Sequence, residues 1–230
     1  MKYAAVIHNV GEVSLTGVAG GDYWLDRLTP SGLKPALVDG AAEIMLSATS
    51  ARYLGVPFCE LSISIFVTQP EQSPPTKYPS AVFLTHAYNS SRLLAFCERT
   101  FFRTPYFQAP LEVCATDLVS VLLGPANAPW LRLAAPARRQ GDLQSIAHNP
   151  AGCWEGPIYL PSVQGKAPEH FFAKLSGPTD DFPFLANADR CELNATAGQP
   201  ALQALADSQF IPRQWTIRRG ATHARTKTFR

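Results

Sequence analysis

The sequence predicts a mainly β, α+β fold: an antiparallel barrel or sandwich with one central helix and short helices at its periphery. Three observations carry that reading. Residues 58–68 alternate, Leu61, Ile63, Ile65 and Val67 interleaving with Ser62, Ser64, Phe66 and Thr68, the period of a strand with one apolar face. Residues 90–103 form the main stretch with helical spacing. Twenty prolines against 15 glycines in 230 residues break the rest into short elements joined by turns. The length suits one large domain, so residues 1–230 are read as a single unit.

Taken in order, residues 22–28 read as a short helix closed by the turn Thr29-Pro30-Ser31-Gly32. Residues 41–48 crowd apolar side chains together, as expected of a strand buried on both faces. The partner of the 58–68 strand is residues 81–88, reached through a proline-rich loop at 69–79 that is either a lid or a plain connection. The central helix follows, with Asn89 or Ser90 as its N-cap, and Thr104 before Pro105 as its stop. Leu93, Leu94, Cys97 and Phe101 are read as its buried face, and Arg92, Arg99 and Arg103 as a basic face opposite. Residues 111–115, 118–123 and 130–133 read as strands, with weaker runs at 158–160 and 171–175. A late helix is expected at 200–207 and a last strand at 215–218.

Composition narrows the function classes. Hydrophobic residues make up 46% and charged residues 17% of the chain, as in ordinary globular proteins. The net charge of +2 conceals a basic C-terminus of about 218–230, where Arg218, Arg219, Arg225, Lys227 and Arg230 lie without an acid. With a mildly acidic body and no nucleic-acid motif, that segment reads as a solvated tail or one paired with acids on the same molecule, so no nucleic-acid partner is expected. Five scattered cysteines without Cys-x-x-Cys spacing argue for reduced thiols in a cytoplasmic protein and against zinc or a disulfide framework. No apolar run approaches the roughly 20 residues of a membrane helix, so no membrane partner is expected. No phosphate-binding glycine loop, nucleophile elbow or metal-ligand spacing occurs, so no cofactor and no metal are expected. A homo-oligomer is left open.

Three segments resemble the acetoacetate decarboxylase superfamily. Leu28-Thr29-Pro30-Ser31-Gly32-Leu33 looks like its Leu-Pro-x-Gly-Leu turn, and Phe58-Cys59-Glu60-Leu61-Ser62-Ile63-Ser64-Ile65 like its strand bearing a glutamate after an aromatic. Glu98-Arg99-Thr100-Phe101-Phe102-Arg103-Thr104-Pro105-Tyr106 resembles its Gly-Arg-Glu-x-x-Gly-Phe-Pro-Lys segment, and more so a bacterial branch reading Arg-x-x-x-x-x-Pro-Tyr. The resemblance implies an antiparallel β-barrel around a small carbonyl- or carboxylate-bearing ligand. Its decarboxylating members use a lysine imine, but Tyr106 and Phe107 stand here in the places of the paired lysines.

The candidate site follows from these segments. Glu60, on the polar side of its strand, is a general acid or base, or else a rim acid paired with an arginine. Tyr106 donates a hydrogen bond to a ligand carbonyl, or is a buried wedge. Arg99 clamps a ligand carboxylate, or forms a structural ion pair, and Arg103 extends that positive pocket or is solvated. His86 is a candidate base, or a structural histidine at a strand end. The leading expectation is a small-molecule-binding barrel with lyase- or hydratase-type acid/base chemistry if it is an enzyme. The alternatives are a filled-barrel scaffold and a decarboxylase using another lysine.

Overall fold

The computed structural model describes residues 2–68, 81–116, 118–136, 147–161, 168–194 and 198–229; the proline-rich stretch at 69–79 lies outside them. Seven strands close into a barrel: β1 (Ala5–Gly20), β2 (Ala41–Tyr53), β3 (Val56–Thr68), β4 (Ala81–Asn89), β5 (Cys153–Tyr159), β6 (His170–Ser176) and β7 (Ile211–Arg225). They neighbour one another in chain order, and β7 returns to pair with β1. Every seam is antiparallel except the short β4–β5 contact, where Ile158 and Tyr159 run parallel to Val82 and Phe83. Closure leaves no free edge among these seven strands.

The alternation in β3 has a clear physical outcome. Leu61, Ile63 and Ile65 point out of the barrel and are fully buried, because a second sheet covers that wall. This sheet runs in the order Arg190–Leu193, Leu131–Ala135, Val119–Leu123 and Leu111–Ala115, all antiparallel. Val121, Leu123, Leu131 and Leu133 meet the outward residues Leu15, Leu46 and Leu61 in one core with helices α1 (Gly21–Leu28) and α3 (Pro200–Asp207). Glu60, Ser62, Ser64 and Phe66, the alternate set, line the barrel interior. The main apolar core thus lies outside this part of the barrel wall, and the polar side chains of β3 face the interior.

Helix α2 (Arg92–Phe101) lies across one end of the barrel, contributing Leu94, Cys97 and Glu98 to the cavity wall. Its cap is Ser91, whose hydroxyl accepts from Leu94 N–H, while Asn89 Oδ1 accepts from Ser91 N–H. The expected buried face is rotated: Leu93 and Phe101 are 62% and 70% exposed, and Ala95 is fully buried. Beyond the end of the helix Arg103 adopts φ 56°, and both Phe102 N–H and Thr104 N–H reach back to Glu98 C=O.

Three sequence expectations change here. The strand expected at 41–48 runs to Tyr53, and β1, a 16-residue strand, was not anticipated at all. Of the two readings of the basic segment at about 218–230, the solvated tail gives way to the paired one: through Arg225 it is the second half of β7, and Arg218, Arg219 and Arg225 pair with Glu12, Asp180 and Glu98. Replacing Ile63 with alanine, which opens a cavity between barrel and second sheet, is expected to cost about 2–5 kcal/mol. Ser62→Ala, on the cavity side, is expected to cost less than about 1.5 kcal/mol. Urea unfolding of both variants checks this, and an equal loss would contradict an apolar core outside the barrel wall.

Candidate active site

Barrel register lays the interior out in rows. Arg218, Glu12, Thr49, Glu60 and Asn89 are successive cross-strand partners on β7, β1, β2, β3 and β4. The next row is Thr216, Ser14, Ser47 and Ser62. These residues line one side of a cavity of about 390 Å³; Val82, Leu84, Trp154, Ile158 and Phe171 supply apolar surface to it. A polar wall facing an apolar one suits a small ligand with one functionalised end.

Two irregularities bring the charges inward. On β7 the inward set passes from Thr216 and Arg218 to His223 and Arg225, a change of parity that a regular strand forbids. The register with β1 breaks there, with Gly220 at φ 60° on β7 and Asn9 at φ 55° on β1. Glycine and asparagine are the residues that tolerate this left-handed geometry. The paired bulge turns both Arg218 and His223 onto one carboxylate.

That carboxylate is Glu12, which is 2% exposed. Arg218 Nη1 donates to its Oε2 at 2.6 Å, and His223 Nε2 lies 2.9 Å from the same oxygen. Ser14 Oγ lies 3.0 Å from Oε1. Burial alone would raise the pKa of Glu12. The hydrogen bonds and charges of His223 and Arg218 overcome that and hold it at about 2.

Glu60 is in the opposite state. Burial pushes its pKa to about 7, the negative charge of Glu98 adds to the rise, and the hydrogen bond from Tyr106 with the charges of His223 and Arg225 only partly offsets it. Tyr106 Oη donates to Glu60 Oε1 at 2.7 Å. The phenol itself is pushed well above its ordinary value by burial and the adjacent Glu60, so it stays a neutral donor. Tyr106 sits among Leu84, Ala87, Leu160, Phe171 and Ala173 and behind the carboxyl it supports, rather than on the cavity surface.

Arg225 supplies the second buried cation. Its guanidinium lies between the rings of Phe102 and Phe171, 4.4 and 3.9 Å from their centroids. Nη1 donates to Glu98 Oε2 at 2.5 Å, an oxygen that also accepts from Thr104 Oγ1 at 2.8 Å. Nη2 is buried with no hydrogen-bond partner among the described residues.

The structure therefore brings Glu60 and Tyr106 together and puts the other three sequence candidates elsewhere. Arg99 is exposed on the outer side of α2 and does not line the cavity. Arg103 is the left-handed residue that closes α2, so its side chain leaves the barrel and pairs with Glu169 at 3.1 Å while 57% exposed. His86 follows a register break opposite Ile63 and Ser64, and its ring stacks on Phe107 outside the cavity. Sequence reasoning missed Glu12, Arg218, His223 and Arg225. The signal available was the cluster of cations at the C-terminus, read as a solvated tail or as a segment paired with acids on the same molecule. No group of metal ligands and no cavity-lining lysine occurs among the described residues.

No family model matches this chain, and no curated protein matches it in sequence. Its fold does match solved structures. An acetoacetate decarboxylase-like enzyme from Sphingomonas wittichii RW1 superposes with a TM-score of 0.59 at 15% identity, covering 100% of this chain and 94% of that one. Acetoacetate decarboxylase from Legionella pneumophila gives 0.62 at 10% identity, over 97% and 85%. The enduracididine biosynthesis enzyme MppR, complexed with the condensation product of pyruvate and imidazole 4-carboxaldehyde, gives 0.56 at 10% identity, over 99% and 88%. The fold is thus that of acetoacetate decarboxylase-like barrels.

The two carboxyls give stability opposite pH dependences. Glu12, depressed, stabilises the fold above its ordinary value of 4.5, and that contribution is lost as pH falls through about 2. Glu60, raised, contributes below 4.5, and that contribution is lost as pH rises through about 7. Glu60→Gln removes the second dependence. Relative to the variant, the wild type is expected to lose about 3 kcal/mol between pH 4 and pH 8. Urea midpoints at both pH values measure it, and parallel curves would contradict a neutral Glu60.

Proposed function

We propose that this protein binds a small carbonyl- or carboxylate-bearing molecule inside its barrel and acts on it, if at all, by acid/base chemistry without a lysine imine. The observation that carries the reading is the pairing, in one cavity, of the protonatable Glu60 with Arg225, whose buried Nη2 has no partner among the described residues. A guanidinium N–H held in an apolar slot is strongly driven to find an acceptor, and a ligand carboxylate supplies one. Glu60, its pKa raised to about 7, keeps a substantial protonated fraction at neutral pH, and in that form it is a donor for a carbonyl oxygen rather than a second anion repelling the ligand.

Two further observations support it. An open cavity of about 390 Å³ counts against a barrel filled by its own side chains. Tyr106, in the lysine's position of the motif, is committed to Glu60 and has no nucleophilic nitrogen. The resemblance in fold to the acetoacetate decarboxylases favours a small organic acid as ligand class.

Calorimetric titration with 2-oxobutyrate tests the binding. Arg225→Gln is expected to weaken it by roughly tenfold to a hundredfold, the range of a charged hydrogen bond, whereas Arg99→Gln leaves it unchanged. Equal losses in the two variants would contradict the site. Borohydride treatment with 2-oxobutyrate is expected to leave every lysine unmodified by mass spectrometry; a reduced lysine adduct would overturn the exclusion of imine chemistry.

A further inference from the structure

Resting on the binding reading above, we infer that His223 is the catalytic base of this cavity, oriented by Glu12 and working opposite Glu60 as the acid, in proton transfer at the carbon beside a bound carbonyl. The inference starts from hydrogen-bond chemistry. Glu12 is held ionised by its surroundings, so its oxygens only accept. Its Oε2 lies 2.9 Å from His223 Nε2, so in the neutral imidazole that nitrogen carries the hydrogen. The lone pair is then on Nδ1, for which no hydrogen bond occurs among the described residues. A carboxylate fixing the tautomer of an imidazole and stabilising the imidazolium that forms is the general construction of a histidine base.

Glu12 is itself locked. Arg218 Nη1 takes the same Oε2 at 2.6 Å, and Ser14 and Ser47 lie 3.0 and 3.4 Å from Oε1. Neither Glu12 nor Arg218 is free to turn, so the ring of His223 inherits a fixed orientation. His223 and Glu60 both line the cavity. Tyr106 engages Glu60 Oε1, leaving Oε2 to carry the carboxyl proton. The two groups thus offer a lone pair and a proton within one cavity, the complementary pair that acid/base catalysis at neutral pH requires.

The step balances without a co-reactant. His223 Nδ1 takes a proton from the carbon next to the ligand carbonyl, and the C–H bonding pair becomes the C=C bond of an enol. The carbonyl π pair takes the proton from Glu60 Oε2, leaving His223 as imidazolium and Glu60 as carboxylate. Reversal returns both protons, and exchange of the His223 proton with water in between replaces the carbon-bound hydrogen. Arg225 holds the ligand carboxylate throughout, so the substrate class is a short oxo acid. Glu12 and Arg218 act through His223 and are positioning residues.

Proton NMR of 2-oxobutyrate in D₂O reads the step directly as loss of its C3 signal. The wild-type protein is expected to accelerate that exchange over buffer, and His223→Gln to slow it by roughly a hundredfold or more. Calorimetric affinity for 2-oxobutyrate is expected to change less than about threefold in that variant, because the anchor, Arg225, is intact. Glu12→Gln is expected to lower kcat for exchange with little change in KM. It should also move the imidazole ¹⁵N shifts of His223 away from the pattern with hydrogen on Nε2, a change that a purely structural role would not produce. Thermal melts identify any variant that fails to fold, and for such a variant the conservative His223→Asn takes its place. Binding of 2-oxobutyrate without accelerated exchange, or exchange indifferent to His223→Gln, overturns the base assignment and leaves the binding reading standing. Absence of binding to the wild type overturns both.

Discussion

A buried carboxylate that must stay ionised organises this molecule. Glu12 sits in the barrel wall with almost no access to water, and an unpaired charge there would cost several kcal/mol. Arg218 and His223 reach it only because the β1–β7 seam carries a paired bulge at Asn9 and Gly220. The same seam closes the barrel. Closure of the fold and neutralisation of Glu12 are therefore one structural event, and Arg225, two residues beyond His223, is turned into the cavity by it.

The second carboxyl depends on the first arrangement. Arg218 and His223 are spent on Glu12, and Arg225 is shared with Glu98. Glu60 is left with a neutral phenol as its hydrogen-bond partner. In that setting desolvation decides its protonation, and its pKa rises to about 7 while that of Glu12 falls to about 2. Two glutamates in one cross-strand row, on β1 and β3 with Thr49 of β2 between them, are thus held in opposite states. Tyr106, buried behind the Glu60 carboxyl, donates its phenol hydrogen to Glu60 Oε1.

How much of this could be read in the sequence follows from where the chain is regular. The run from Phe58 to Thr68 is a strand without interruption, so its period put Glu60, Ser62 and Ser64 on one side, and the resemblance in motif supplied Tyr106 and the barrel. The charged wall was not legible, because Arg218, His223 and Arg225 do not share strand parity. Only the bulge at Gly220 puts them on one face, and nothing local to β7 announces that its partner bulges at Asn9. β1 was missed for a related reason: Gly11, Gly17 and Gly20 dilute its pattern, although Gly17 is needed where Ile211 and Phe210 pack against the backbone. Helix α2 was read with Leu93, Leu94, Cys97 and Phe101 inward; Leu94 and Cys97 do line the cavity, while Leu93 and Phe101 face solvent and Ala95 is buried in their stead.

The central claim is that one cavity is lined by both a glutamate carboxylate and a glutamic acid. Selective ¹³C labelling of glutamate side chains, with Glu12→Gln and Glu60→Gln for assignment, lets their carboxyl resonances be followed by NMR across pH. The Glu60 carboxyl is expected to keep the shift of the protonated acid at pH 5.5 and to titrate near pH 7, while Glu12 keeps the carboxylate shift down to at least pH 4. A Glu60 already ionised at pH 5.5, or a Glu12 titrating near its ordinary value, would contradict it.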